Sequence, residues 1–571
     1  MRFRLTLMLV ILAIFTGNSL NGQILSPGSK AGVSANQYTQ RMQWWQNAKF
    51  GMFIHWGPVS LKGTEIGWSR KGPRRDRQGT GTIPVEEYDN LYRRFNPVQF
   101  DADAWVQLLK DAGMQYLVFT TKHHDGFSMF DSRWTDYKIT SPDSPFGRDI
   151  TAELADACHR AGVKLGFYYS QPDWRHPDFF TEHHDRYITY LHRQVEELCA
   201  NYGRLDILWF DGLSNPAERW DTGRLFTRIH RLQPDIIIND RADVPADFDS
   251  PEQRIGAFQI DRPWETCMTI GRQWAWKPDD TIKSLMQCLH TLIRSVGGGG
   301  NLLFNVGPMP DGRIEPRQAD QLREMGDWLK QYGESIYGTR GGPYTPDFAG
   351  VSTRKGNRIF LHILNWVNDE APLVLPPLPR KIIRSSLLTG GNVTVQQEAD
   401  GITILVPREF RREMDTIIEL ELDGEADTIP PLPFSSASLA MRQPADASNM
   451  IGSHTSKINL ARNGPQAACD GDLFTSWNCE DDIRSVWWQV NLQTARHISK
   501  IAIFERGHAV RKFELQYQEN EEWVTVHQGT EIGGRTVITF KPVQTQFVRL
   551  HILDAEQAPS IKEILLYGPD Q

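Results

Sequence analysis

Asp149 to Ala161, closed by Gly162, runs directly into Val163-Lys164-Leu165-Gly166-Phe167-Tyr168-Tyr169. The first part has helical spacing and ends on a glycine stop. The second is an unbroken apolar run short enough to be a buried strand. The same unit recurs outward in both directions. Upstream lie Lys49 to Ile54, a β-type run, then a helical stretch Asp101 to Ala112 with Gly113 as its stop, then Tyr116 to Thr120. Downstream, helical Arg186 to Asn201 precedes the strand Leu205 to Phe210. Helical Arg219 to Leu232 precedes Asp235 to Ile238, and Thr281 to Val296 precedes Leu302 to Val306. Arg317 to Tyr332 is the last helix.

Strands that are apolar throughout and alternate with helices predict a parallel sheet covered on both faces. The number of units favours a closed (β/α)8-like TIM barrel over an open sheet. An open sheet would place a glycine-rich phosphate turn after its first strand. Here that strand ends in His55-Trp56-Gly57. The glycines Gly297 to Gly300 follow a helix, the wrong side for phosphate.

After Gly341-Gly342-Pro343 the pattern changes to short alternating runs. Arg358 to Leu364, Val393 to Val395, Thr403 to Val406 and Thr416 to Leu422 predict an antiparallel β-sandwich domain without helices. Ile429 to Asn449 reads as linker, and strands resume after Ile451. The predicted layout is residues 35–340 as the barrel, 341–428 as the sandwich, 429–449 as linker and 450–571 as a last β module.

Residues 1–22 read as a signal peptide. Arg2 and Arg4 precede an apolar run, Leu5 to Phe15, too short to span a bilayer. The mature chain is expected to be periplasmic or secreted, with no membrane span. A net charge of -8 argues against a nucleic-acid partner, which needs a clustered basic surface. Eighteen tryptophans point mildly to carbohydrate, because flat apolar rings stack on sugar C–H faces. Six cysteines stand at 158, 199, 267, 288, 469 and 479 without a C-x-x-C, so no thiolate zinc site is readable. Cys469 and Cys479 are close enough in sequence to pair.

Barrel enzymes carry their chemistry at the C-terminal ends of strands. Here those ends read His55-Trp56, Lys122-His123-His124-Asp125, Tyr168-Tyr169, Asp211-Gly212 and Asn239-Asp240-Arg241. A strand-like run from Gly256 to Ile260 leads to Trp264-Glu265-Thr266-Cys267. Asp211 ends an apolar strand and suits a fixed, ionised nucleophile. Trp264 would desolvate Glu265 and raise its pKa, which suits a general acid. Such a pair, about 5–5.5 Å apart, is what retaining glycosidases use. The histidines admit a metal-hydrolase reading, but His123 and His124 are adjacent and would diverge in an extended strand.

These motifs, with Phe53-Ile54-His55-Trp56-Gly57 and Leu303-Phe304-Asn305-Val306-Gly307-Pro308, resemble glycoside hydrolase family 29, the α-L-fucosidases. The resemblance spans about residues 37–337, in family order. It implies a retaining enzyme that removes terminal α-L-fucosyl groups from a glycan by double displacement and needs no cofactor for catalysis. It implies Asp211 as nucleophile. It implies His55, His123, His124, Tyr169, Glu65 and Trp68 as sugar contacts, and Arg241 and Trp264 complete the expected substrate-facing set. Glu265 is the expected acid/base, with Asp261, Asp279 and Asp280 behind it. An α-L-galactosidase and a catalytically inactive carbohydrate-binding protein are the alternatives.

Ala468-Cys469-Asp470-Gly471-Asp472-Leu473-Phe474-Thr475-Ser476-Trp477 looks like the opening of a discoidin-type (coagulation factor 5/8-type) carbohydrate-binding module. That resemblance implies a structural calcium, with Asp470, Thr475 and Glu563 at the matching positions.

Overall fold

The computed structural model describes residues 35–569 except 257, 367–371, 434–437 and 453–456. The expected signal peptide lies outside them. Among the described residues no helix is long and apolar enough to cross a membrane.

Seven parallel strands form the barrel wall. They are β1 (Phe50–Ile54), β2 (Tyr116–Lys122), β3 (Lys164–Tyr169), β4 (Ile207–Phe210), β5 (Ile237–Ile238), β6 (Glu265–Thr269) and β7 (Asn301–Val306), in the order β5-β4-β3-β2-β1-β7-β6. Capping fixes several of the covering helices. Asp101 and Asp149 accept N-terminal amide protons from Ala104 and Ala152, and Ser284 forms a capping box with Gln287.

Residues 248–253 fill the gap between β5 and β6. They run parallel to both neighbours through the pairs Asn239–Phe248, Asp249–Trp264 and Glu252–Cys267. The amides of Cys267 and Gln253 bond to the carbonyls of Pro251 and Cys267 at 3.1 and 2.9 Å. This irregular strand is the eighth stave and closes the barrel. In the run Gly256 to Ile260, expected to be a strand, the described residues form none, and residue 257 lies outside them.

The two-residue period of the strands sorts side chains into an inner and an outer set. Phe53, Tyr116, Val118, Tyr168, Ile207, Trp209, Ile237, Cys267 and Leu303 pack together inside the barrel. Leu117, Phe119, Phe167, Tyr169, Leu208 and Phe210 face the helices. No α-helix covers the segments on either side of the irregular strand, among the described residues.

The sandwich has a five-stranded and a three-stranded antiparallel sheet around a core that includes Ile359, Leu361, Ile404 and Leu420. The last module is a separate seven-stranded antiparallel sheet with its own core, including Trp477, Trp488 and Leu550. The stretch read as linker is partly structured: Ala445–Ala447 pairs with Val486–Glu505 of the module, and Leu432 bridges Tyr344. All six cysteines are buried and unpaired, so the expected Cys469–Cys479 bridge is not formed.

Glu265 is the first residue of β6, opposite Asn301, the first residue of β7. It therefore sits at the floor of the barrel, at the end away from the catalytic face. Trp45 and Trp209 donate to it at 3.2 and 3.4 Å, and Tyr116 donates as well. Burial raises its pKa to about 7 despite these donors. The folded state therefore holds the proton more tightly than the unfolded chain. Its stabilising effect is full below about pH 4.5 and is lost as pH rises to about 7, by about 3 kcal/mol. We expect part of the fall in melting temperature between pH 5 and 7 to vanish in Glu265→Gln, which cannot titrate. Parallel Tm–pH curves for the two proteins would contradict this.

Candidate active site

Asp211 follows β4 with the inward parity of Ile207 and Trp209. Its Oδ2 accepts from the Tyr168 hydroxyl at 3.0 Å and lies 3.6 Å from His124 Nε2. Its Oδ1 is 3.5 Å from Arg241 Nη1. Burial raises the Asp211 pKa, and Arg241 opposes that shift. Gly212 must be glycine: a Cβ there would lie 2.4 Å from Asp243 Oδ2 and 2.8 Å from the Arg241 carbonyl.

Arg241 Nη1 also donates to Glu252 Oε2 at 2.8 Å. One nitrogen thus joins both carboxylates, so those two oxygens lie at most about 6 Å apart, which admits the spacing of a retaining pair. The guanidinium lies over the Trp209 ring at 4.8 Å and donates to the Ser250 carbonyl at 2.9 Å. Arg241, expected to face the substrate, thus lies between the two carboxylates. Glu252 is the penultimate residue of the irregular strand, and the sequence reading does not single it out. Pro251 and the polar residues around it carry no strand signal, whereas Gly256 to Ile260 does. Trp264-Glu265 opens a strand and does not end one.

Three expected substrate residues gather beside Asp211. His55 Nδ1 pairs with Asn305 Oδ1 at 2.7 Å, and His124 Nδ1 with Ser170 Oγ at 2.6 Å. The His123 ring stacks on Tyr168 at 5.5 Å, and its buried Nδ1 has no partner among the described residues. The adjacent histidines converge because the register shifts between Thr120 and Lys122 and the strand then ends. Burial pulls His55 down to about 3 and the other two well below their ordinary value, so all three are neutral hydrogen-bonding groups.

Glu65 and Trp68 form one rim. Glu65 accepts from the amides of Trp274 and Ala275 at 2.9 and 3.2 Å, and burial raises it to about 7. Trp274 lies 4.7 Å from the His55 ring. Trp68 meets His124 edge-on at 5.7 Å and Trp174 at 5.0 Å. Gln171, also missed, has both buried amide atoms unpartnered and lies beside Gly212.

Four expectations need correction. Tyr169 points outward, its hydroxyl donating to Gln194 at 2.9 Å, and Tyr168 takes the inward place. Trp264 is buried below the site, its ring packed against Gly300 and its N–H on the Gln259 carbonyl at 3.2 Å. Glu265 is at the barrel floor. Asp280 is buried in a turn, receiving the amides of Arg272 and Thr281 at 2.8 and 2.9 Å.

In the module, Asp470 accepts from the Thr475 hydroxyl at 2.9 Å, and Glu563 accepts from the Gly471 amide at 3.0 Å. Burial raises both carboxyls; the Asp472 charge adds to the shift of Asp470, to about 8, and the Asp470 charge adds to that of Glu563. Glu563 Oε1 is buried without a partner. No cluster of three or more His, Cys, Asp or Glu placed to hold a metal occurs among the described residues.

The Alpha-L-fucosidase family model matches residues 27–334, and the F5/8 type C domain model matches residues 448–564. Plasma alpha-L-fucosidase of Homo sapiens is 29% identical over 356 residues, covering 57% of this chain and 76% of its own. Among solved structures, alpha-L-fucosidase isoenzyme 1 of Paenibacillus thiaminolyticus is 36% identical with a TM-score of 0.62, covering 68% of this chain and 100% of its own. A Bacteroides thetaiotaomicron GH29 alpha-L-fucosidase, trapped as a covalent intermediate, is 26% identical with a TM-score of 0.60, covering 67% and 96%.

The two tyrosines give a direct check. Tyr168→Phe removes a hydrogen bond to Asp211 and should lower kcat about tenfold or more. Tyr169→Phe should cost about 1 kcal/mol of stability and leave kcat within about twofold. Steady-state kinetics and thermal unfolding of both variants test the assignment.

Proposed function

The chain belongs to the alpha-L-fucosidase family of glycoside hydrolases, and from that premise we propose that it is an exo-acting, retaining enzyme with Asp211 as nucleophile and Glu252 as acid/base. The observation that carries this reading is the pair of carboxylates joined by Arg241 at the catalytic face of the barrel. The trapped intermediate of the Bacteroides relative supports a covalent route.

In the first step an Asp211 oxygen attacks the anomeric carbon while the bond to the leaving-group oxygen breaks. Glu252 gives that oxygen its proton, and a fucosyl ester of Asp211 remains. In the second step the Glu252 carboxylate takes a proton from water. The water oxygen attacks the anomeric carbon as the bond to Asp211 breaks, which leaves Asp211 ionised and Glu252 protonated as at the start. Tyr168 and Arg241 hold Asp211 by hydrogen bond and charge, which fixes its line of attack. His55, His123, His124, Glu65, Trp68 and Gln171 are the groups we assign to the sugar.

The substrate is a fucosylated glycan, and the enzyme is exported to the periplasm or beyond. The last module binds carbohydrate and carries a structural calcium between Asp470 and Glu563. A buried Glu563 carboxyl raised by the charge of the neighbouring Asp470, with one oxygen unsatisfied, fits a hard cation. Calcium there would neutralise the repulsion.

Incubation with 2-fluoro-fucosyl fluoride should add one fluorofucosyl mass to the peptide holding Asp211. Label on another peptide would overturn the nucleophile assignment. Asp211→Ala should reduce kcat on an aryl α-L-fucoside by about 10³-fold or more. For the module, added calcium should raise Tm in wild type and have no effect in Glu563→Gln. Equal Tm with calcium and with chelator would remove the site.

A further inference from the structure

Among the described residues no α-helix of the barrel follows or precedes the irregular strand directly, and the last module stands against it. Arg462, on the module's helix Lys457–Asn463, donates to the side-chain oxygen of Gln253. Gln253 is the neighbour of Glu252. It is 6% exposed and adopts φ 54, a left-handed conformation that a residue with a Cβ holds only under constraint from its surroundings. Its amide also bonds the β6 carbonyl of Cys267 at 2.9 Å, and its side-chain nitrogen donates to Thr269 Oγ1 at 3.2 Å.

Beside this contact lies a cavity of about 620 Å³ between barrel and module, with Met268 and Gln253 on one side and Leu460 and Gln466 on the other. The wall behind Glu252 is therefore not packed solid. Arg462 crosses at the point where the irregular strand would otherwise border open space. Burial lowers the Arg462 pKa, and the charge that opposes this is that of Glu252, on the strand it braces. The rest of the module is anchored independently: Phe474 packs on His290 at 5.5 Å and Phe504 on Phe348 at 5.3 Å. The bracing guanidinium is thus presented from a fixed body.

We infer that Arg462 is a positioning residue for the acid/base, so that the C-terminal module completes the catalytic machinery of the barrel as well as serving it as a binding domain. This rests on Glu252 being the acid/base. Release of the Arg462–Gln253 bond lets the strained Gln253 backbone relax, which moves the adjoining Glu252 carboxyl relative to Asp211. Proton delivery to the leaving group suffers, and the Asp211 attack does not.

The test compares wild type, Arg462→Ala, Arg462→Lys and Glu252→Ala on two substrates. One is 2,4-dinitrophenyl α-L-fucoside, whose leaving group needs no proton. The other is phenyl α-L-fucoside, whose leaving group does. Arg462→Ala should lower the fucosylation rate, read as kcat/KM, about tenfold on the phenyl substrate and less than about twofold on the dinitrophenyl one. Arg462→Lys, which keeps a donor and the charge, should restore most of the loss. Glu252→Ala should show the same selectivity, about 10²-fold or more on the phenyl substrate. Equal losses on both substrates, or none, in Arg462→Ala would overturn the inference while Glu252→Ala keeps its selectivity. If Glu252→Ala shows no selectivity, the acid/base assignment itself falls and takes this inference with it. Should Arg462→Ala unfold, Arg462→Met, closer in volume, carries the same comparison.

Discussion

A carboxylate beside a second carboxyl in a buried cleft is stabilised by a cation placed between them. Here that cation is Arg241, and much of the site is arranged to hold it. The Trp209 ring supports its plane, the Ser250 carbonyl takes one nitrogen, and Asp211 and Glu252 share another. Trp209 is an inner residue of β4, Ser250 belongs to the irregular strand, and Arg241 follows β5. Barrel closure and charge balance are therefore one constraint. A strand of only six residues, without a barrel helix of its own among the described residues, is bound to its neighbours by a guanidinium and two carboxylates.

The parts of the molecule that repeat were legible in the sequence. Apolar strands followed by capped helices gave the barrel, and the switch to alternation after Pro343 gave the antiparallel domains. Asp211 was legible because its strand is apolar up to it and ends there. Glu252 was not: Pro251 removes a ladder donor, the segment has no apolar run, and its pairing is a few isolated bridges. Tyr168 and Tyr169 could not be separated without knowing that Tyr168 aligns with Trp209. The convergence of His123 and His124 depends on a local register shift that no periodicity announces.

Long-range contacts were the least legible. Gln253 and Arg462 are 209 residues apart in sequence, and neither sits in a motif. The stretch read as linker was identified from its Pro, Ser and Ala content, yet Ala445–Ala447 extends the module's sheet. Composition reports how much apolar area a segment can bury, not whether a neighbouring edge strand will accept it.

The six unpaired thiols bear on how the chain can be made. Each is buried, and burial pushes Cys158, Cys199, Cys288 and Cys479 up to about 12 and the other two further. A thiol that is neither exposed nor ionised exchanges slowly with glutathione and does not scramble with its neighbours. The native state therefore demands no oxidant and no isomerase. The same three folded bodies can form in a reducing cytosol or in an oxidising compartment.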